Sequence, residues 1–276
     1  MLVVIDSSNL TYIAIKKGQG NKIMSQIIAF SGKGGTGKTT LAGLTIRYLM
    51  EKTGKAILAV DADSNSCLNE ALGVSVHATI GGIRENALAA IRTGQRPGGL
   101  STEEIFDYQV QTSIVESKGF DLLVMGRPEG PGCYCAANNI IRKYTDKLAD
   151  DYAYVVIDNE AGMEHLSRRT AHKVSAMFIV SDPTVKGIKT AKRINELINE
   201  LGLDISNRRL IINRVRSTEG SALKEVAQAD GLVVAGMVPD DGVIFSLDLH
   251  GKPVFDIPAD SASLQAAYGI LDAALA

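Results

Sequence analysis

Two cysteines one residue apart, Cys133-Tyr134-Cys135, share this chain with the run Gly32-Lys33-Gly34-Gly35-Thr36-Gly37-Lys38-Thr39. Thiolates are soft ligands, and a CxC pair fills half of a tetrahedral or square-planar shell; two copies of the chain would complete it. The glycine-rich run suits a nucleoside triphosphate. Its Gly-x4-Gly-Lys-Thr spacing follows a predicted strand and opens a predicted helix. Glycines let backbone N–H groups wrap phosphates, and the helix N-terminus adds partial positive charge. Lys38 is then the bridge between β and γ phosphates, the Thr39 hydroxyl the Mg²⁺ ligand, and Thr40 the contact to the α phosphate. Together the two motifs suggest a nucleotide-driven dimer that holds and releases a metal ion. The rival for the thiol pair is coincidence or burial; a disulfide within CxC would be strained. Turn residues Gly130-Pro131-Gly132 precede the pair and a helical stretch, Ile140–Leu148, follows it. A helix N-terminus there would favour the thiolate form.

The elements that must position these motifs are readable from apolar runs. The strand Ser25–Phe30 precedes the phosphate loop, and a helix is expected from Thr39 to about Glu51. Ala56–Val60 is a second apolar strand, closed by Asp61-Ala62-Asp63. Further strand candidates are Leu122–Met125, Tyr154–Ile157, Ala176–Val180, Leu210–Ile212 and Val233–Met237. Between them lie helical stretches such as Gly187–Leu201, whose Ile188, Ala191, Ile194, Leu197, Ile198 and Leu201 recur at helical spacing. Short apolar strands alternating with amphipathic helices predict an α/β fold of the P-loop NTPase kind: a mostly parallel twisted sheet with helices on both faces. The site should form from loops after the strands' carboxyl ends. Thr93–Ser101 is expected to be a surface loop. Residues 1–23 are expected to be an N-terminal extension outside the core, with an added edge strand at Leu2–Ile5 as the alternative, and 24–276 to be one ATPase domain.

Composition narrows the classes. Of the 276 residues, 45% are hydrophobic and 22% charged, and the formal net charge is −2, so no global field draws the chain to nucleic acid or acidic membrane. Trp is absent and aromatics are 5%, which disfavours a stacking platform for single strands. The chain has no apolar run of about eighteen residues to span a bilayer. Three cysteines do not make a disulfide framework, and a reduced cytoplasmic setting is expected.

Lys33 sharpens the assignment. Lys33-Gly34-Gly35-Thr36-Gly37-Lys38-Thr39-Thr40 resembles the deviant phosphate loop of the ATPase class that includes MinD, ParA and the nitrogenase iron protein. The resemblance implies that Lys33 reaches across a nucleotide sandwich dimer to the partner's phosphates, as an arginine finger does elsewhere. It also implies that Asp63 orients the attacking water, with Asp61 behind it, that Asp158 is the Mg²⁺-water ligand, and that the Gly162 N–H meets the γ phosphate. Asn213-Arg214 resembles the base-recognition dipeptide of the class, with Val238-Pro239-Asp240-Asp241 as the other wall. An amide offers donor and acceptor to an adenine edge, and no Asn-Lys-x-Asp guanine motif is present, so ATP is favoured over GTP.

Pro131-Gly132-Cys133-Tyr134-Cys135, with Asp158-Asn159-Glu160-Ala161-Gly162-Met163-Glu164-His165-Leu166-Ser167-Arg168-Arg169, resembles the CooC-type accessory ATPases. The similarity runs from Met24 to the C-terminus. It implies a homodimer whose Cys133 and Cys135 pairs form one metal site at the interface. The implied function is nickel insertion into carbon monoxide dehydrogenase or acetyl-CoA synthase. Expected cofactors are ATP or ADP, Mg²⁺ and Ni²⁺; thiolates hold Zn²⁺ or Cu(I) at least as well, so the ion rests on the resemblance. Cys67 is expected to be a small buried residue. His77, His165, His172 and His250 show no ligand spacing with the thiols, and Glu160 is a candidate switch carboxylate. Two alternatives are weighed. A MinD- or ParA-like positioning switch would need a basic membrane tail, yet Ser261–Ala276 has no Lys or Arg, or a DNA-binding patch, to which Arg208, Arg209, Arg214 and Arg216 contribute locally. An iron protein with a [4Fe–4S] cluster would use two distant cysteines per chain.

Overall fold

In this computed structural model the described residues are 25–93, 101–127, 134–161, 174–203, 205, 207–216 and 220–275. The expected N-terminal extension, Cys133, Gly162, His165 and His172 lie outside them.

The chain opens with β1 (Gln26–Gly32), the phosphate loop and α1 (Lys38–Thr53). It continues through β2 (Ile57–Ala62), α2 (Leu68–Leu72), α3 (Ile80–Thr93), α4 (Thr102–Ser113), β3 (Val115–Glu116), β4 (Asp121–Val124) and α5 (Tyr134–Ala149). The second half carries β5 (Tyr154–Asn159), β6 (Ala176–Ser181), α6 (Val185–Glu200), β7 (Arg208–Val215), α7 (Gly220–Ala229), β8 (Val234–Pro239), α8 (Gly242–Leu249), a short 3-10 turn (Val254–Asp256) and α9 (Ala262–Leu275).

The strands lie in one sheet of order β3-β4-β2-β5-β1-β6-β7-β8. Every neighbouring pair is parallel except β3 with β4, which is antiparallel. Alternation along each strand builds two cores. Ile27, Ala29, Leu58, Val60, Val155 and Ile157 face one side, packed by Ile80, Ile141, Ile188, Ile194 and Leu223 from α3, α5, α6 and α7. Ile28, Phe30, Ile57, Ala59, Val156 and Phe178 face the other, under Leu41, Leu44 and Leu49 of α1 and Leu264, Ala267 and Leu271 of α9. Each Val, Leu, Ile or Phe among them removed from water contributes about 1.5–3 kcal/mol. Phe30 and Phe178, on adjacent strands, stack at 5.4 Å.

The expected architecture is present, with three differences. Strands β2 and β5 run past their apolar stretches into buried Asp61 and Asp158-Asn159, because sheet pairing to Ala62 and Asn159 continues where hydrophobicity stops. The stretch expected as a loop contains structure at both ends: Thr93 closes α3, and Ser101 caps α4 through a reciprocal box with Glu104. The β3 edge strand has no counterpart among the expected strands. None of the described helices is long and apolar enough to cross a membrane.

Candidate functional site: a phosphate loop with a buried lysine–carboxylate cluster

Parallel strands deliver their carboxyl ends to one edge, so β1, β2 and β5 bring Gly32, Asp61 and Asp158 to a common level. Phe30 is in register with Asp158, and Asp158 with Asp61. Two glycines make the loop possible. A Cβ on Gly32 would stand 2.3 Å from the Val180 carbonyl oxygen of β6. Gly37 sits at φ +90°, where a Cβ would come within 2.4 Å of the Asn213 amide nitrogen.

The loop is held from inside and outside. Thr36 Oγ1 donates to the Lys33 carbonyl at 2.9 Å, and Lys38 Nζ donates to the same oxygen at 3.3 Å. Lys38 is 6% exposed whereas Lys33 is exposed. From β7, Asn213 Nδ2 donates to the Thr36 carbonyl at 2.8 Å and Arg214 Nη1 to the Gly35 carbonyl at 3.1 Å. Arg214 adopts φ +59°, uncommon for a residue with a Cβ, and Asn213 Oδ1 accepts its N–H. The Asn213 amide, expected to read a base, therefore commits one donor to the loop and one acceptor to its neighbour Arg214; a second hydrogen and a second lone pair remain.

Charge is concentrated beneath this loop. Burial pushes the Lys38 ammonium below its ordinary value, opposed by the charges of Asp158, Asp63, Cys67 and Glu160. Asp158, 1% exposed, is pushed up to about 6 by burial, against the Thr39 hydroxyl and Lys38. Its Oδ2 accepts from Thr39 Oγ1 at 2.6 Å, while its Oδ1 is buried with no hydrogen-bond partner among the described residues. An orphaned carboxylate oxygen beside a hydroxyl is the oxygen-donor environment that Mg²⁺ takes, so the residues fit that ion.

Asp61 and Asp63 divide in role by burial. Asp61 is fully buried and accepts from the N–H groups of Asp63 at 3.0 Å and Leu68 at 2.9 Å, which pins the loop between β2 and α2. Burial raises its carboxyl to about 7; those two N–H groups pull down, and the charges of Asp158 and Asp63 push up. Asp63 is half-buried and turns its Oδ1 to Asn65, accepting from that residue's N–H at 2.8 Å and amide at 3.0 Å. Ser64 Oγ donates to Glu160 at 3.2 Å, linking the loops after β2 and β5. Cys67 corrects an expectation: it is exposed, because it stands just before the short α2 within this polar loop instead of facing a core. Partial desolvation, then the charges of Asp63, Asp61, Glu70 and Asp158, hold its thiol above the ordinary value.

A cavity of about 310 Å³ opens beside the loop. Thr40, Asn213, Arg214, Pro239 and Asp240 line it, joined by Leu41 and Leu44 of α1 and by Ile244, Phe245 and Asp248 of α8. The α8 wall is absent from the expected helices, although Asp241 is a readable cap: its Oδ1 accepts from Val243 N–H at 2.9 Å. Cys135 is the second residue of α5, which follows β4 in the chain; nothing of its side chain is described. Among the described residues no group of three or more His, Cys, Asp or Glu side chains is arranged to hold a metal ion.

Comparison with known proteins agrees with this geometry. An uncharacterized ATP-binding protein of Methanocaldococcus jannaschii is 43% identical over 235 residues, 85% of this chain and 92% of its own. The carbon monoxide dehydrogenase accessory protein CooC of Rhodospirillum rubrum is 31% identical over 240 residues, 83% of this chain and 89% of its own. Among solved structures, the septum site-determining protein MinD of Pyrococcus horikoshii, complexed with Mg-ADP, superposes with a TM-score of 0.65 at 22% identity, covering 91% of this chain and 96% of that one. A ParA family ATPase from Chlorobium tepidum gives 0.68 at 19%, covering 91% and 99%. The family described as the CobQ/CobB/MinD/ParA nucleotide binding domain matches residues 27–254, from the first strand to the turn before α9, and the chain belongs to that family.

Proposed function

We propose that this chain, with residues 24–276 as one ATPase domain, is an ATP-hydrolysing, dimerising metallochaperone. It would carry nickel at a site shared by the Cys133 and Cys135 pairs of two subunits and deliver it to carbon monoxide dehydrogenase or acetyl-CoA synthase. The observation that carries the nucleotide half is the orphaned Asp158 Oδ1 beside Thr39 and Lys38 at the mouth of a phosphate loop. The metal half is supported by the CxC pair and by 31% identity to CooC, whose name states service to carbon monoxide dehydrogenase.

In this reading water attacks the γ phosphorus, the bond to the β–γ bridging oxygen breaks, and ADP and phosphate leave. The backbone of residues 33–38 holds the phosphates. Lys38 leaves the Lys33 carbonyl for the β and γ oxygens, regaining a partner for its buried charge. Lys33, exposed at the loop's crest, reaches the phosphates of the other protomer, and Lys33 of the partner subunit does the same in return. Thr39, with Asp158 acting through a metal-bound water, would hold Mg²⁺, which would supply neutralisation of phosphate charge. Asp63 exchanges Asn65 for the attacking water, with Asp61 fixing its backbone. Asn213, Arg214, Pro239 and Asp240 flank the base. The subunit closure brought about by Lys33 changes the separation of the two CxC pairs, and hydrolysis loosens them.

Replacing Cys133 and Cys135 together by Ala should abolish nickel binding in equilibrium dialysis while leaving ATP hydrolysis measurable. Retained nickel stoichiometry in that variant would refute the metal site.

A further inference from the structure

We infer that Phe245 is the stacking platform for the purine base, a role that rests on the ATP-binding reading above. Helix α8, Gly-Val-Ile-Phe-Ser-Leu-Asp-Leu, is mostly apolar, yet none of its residues is buried. Phe245 is 70% exposed although it lines the cavity beside the phosphate loop. A phenyl ring left in water at the wall of a small pocket forfeits the burial that aromatic residues ordinarily gain. The cavity's other walls suit a flat ring: Leu41 and Leu44 from α1, Pro239 from the end of β8, and the Asn213 amide. At about 310 Å³ it lies at the small end of ligand sites. The phosphates would occupy the loop at one end, and Thr40, in the first turn of α1 two residues past Lys38, lines the cavity, so the base falls in this chamber.

Asp241 fixes the platform. Its Oδ1 accepts from Val243 N–H and its Oδ2 from Ser261 Oγ at 2.7 Å and Ser263 N–H at 3.3 Å, which anchors the start of α8 to α9. From that anchored end, Ile244, Phe245 and Asp248 turn one side of the helix to the cavity. Leu249 is also 70% exposed but does not line the cavity, and so serves as an internal control for a merely sticky surface.

The test compares Mg-ATP with inorganic tripolyphosphate, which has no base, on the full chain. Phe245→Ala should weaken ATP binding by about five- to a hundredfold and leave tripolyphosphate affinity within twofold. Phe245→Trp should retain ATP affinity. Because the chain has no Trp, that variant also carries a single indole, whose emission should respond to ATP and not to tripolyphosphate. Leu249→Ala should match wild type for both ligands. Unchanged ATP affinity in Phe245→Ala, or equal weakening of both ligands, overturns the inference alone. Failure of the wild-type chain to bind ATP at all overturns the nucleotide reading and this inference together.

Discussion

Asp158→Asn should make the nucleotide-free protein more stable while depriving it of its metal-dependent grip on ATP. The wild-type carboxylate is buried, has one oxygen without a partner among the described residues, and is held at about 6 where 3.8 is ordinary. A carboxyl with a raised pKa binds its proton more tightly folded than unfolded. Stability therefore falls as pH rises from about 4 to 6 and is level above that window. At about 1.4 kcal/mol per pH unit the loss is roughly 3 kcal/mol. The amide is nearly isosteric with the neutral acid, so the two proteins should agree near pH 4. By pH 8 the variant should lead by up to ~3 kcal/mol. Asp61 titrates in the same sense toward about 7 and steepens both curves; because the Asp158 charge contributes to that rise, the variant's curve is the less steep, which works in the same direction as its lead. Urea unfolding in EDTA across this range measures the difference; adding Mg²⁺ and ATP should then stabilise wild type more than the variant. Equal stability at pH 8, or a variant weaker there than at pH 4, would refute the account of this carboxylate.

Three further outcomes follow from the loop and its supports. Gly37→Ala should cost about 2–4 kcal/mol, from positive-φ strain and the displaced Asn213–Thr36 hydrogen bond, and should abolish ATP binding in calorimetry. Lys33→Ala should leave Mg-ATP affinity within several-fold but slow hydrolysis on the order of a thousandfold in a phosphate-release assay, if exposed Lys33 serves the partner's nucleotide as proposed. Asp241→Ala should cost about 1–2 kcal/mol through the lost cap. The Ser261 hydroxyl holds the Asp241 carboxyl below 3.8, so the wild-type advantage should be complete at neutral pH and fade in unfolding titrations as pH drops below about 4.

The sheet was readable because its central strands are buried on both faces and so are continuous apolar runs, from Ile27–Phe30 to Leu210–Ile212. Where function interrupts burial, the pattern misleads. Asp61 and Asp158 are paired strand residues that look like strand ends, because the sheet pairing continues past the apolar run into buried carboxylates. Cys67 has a residue type that usually packs inside, but its position in the polar turn between Asp63 and α2 exposes it. Helix α8 is apolar without periodicity since it meets a cavity instead of a core, and its signal was the Asp241 cap alone. Asn213 was singled out from its place after the apolar run Leu210–Ile212, and it lies within β7, lining the cavity beside the loop. Its tie to Thr36 depends on register between distant strands and on the turn at Gly37, which no local pattern encodes.

The central claim is a metal cage shared by two subunits and governed by the nucleotide between them. Metal-to-protein ratio and particle mass, measured without nucleotide, with ADP and with a non-hydrolysable ATP analogue, test it most directly. The account predicts about one metal ion per pair of chains in a dimer, with retention that differs between the ATP analogue and ADP. A single chain that holds a full complement of metal, with the same retention in all three conditions, would contradict it.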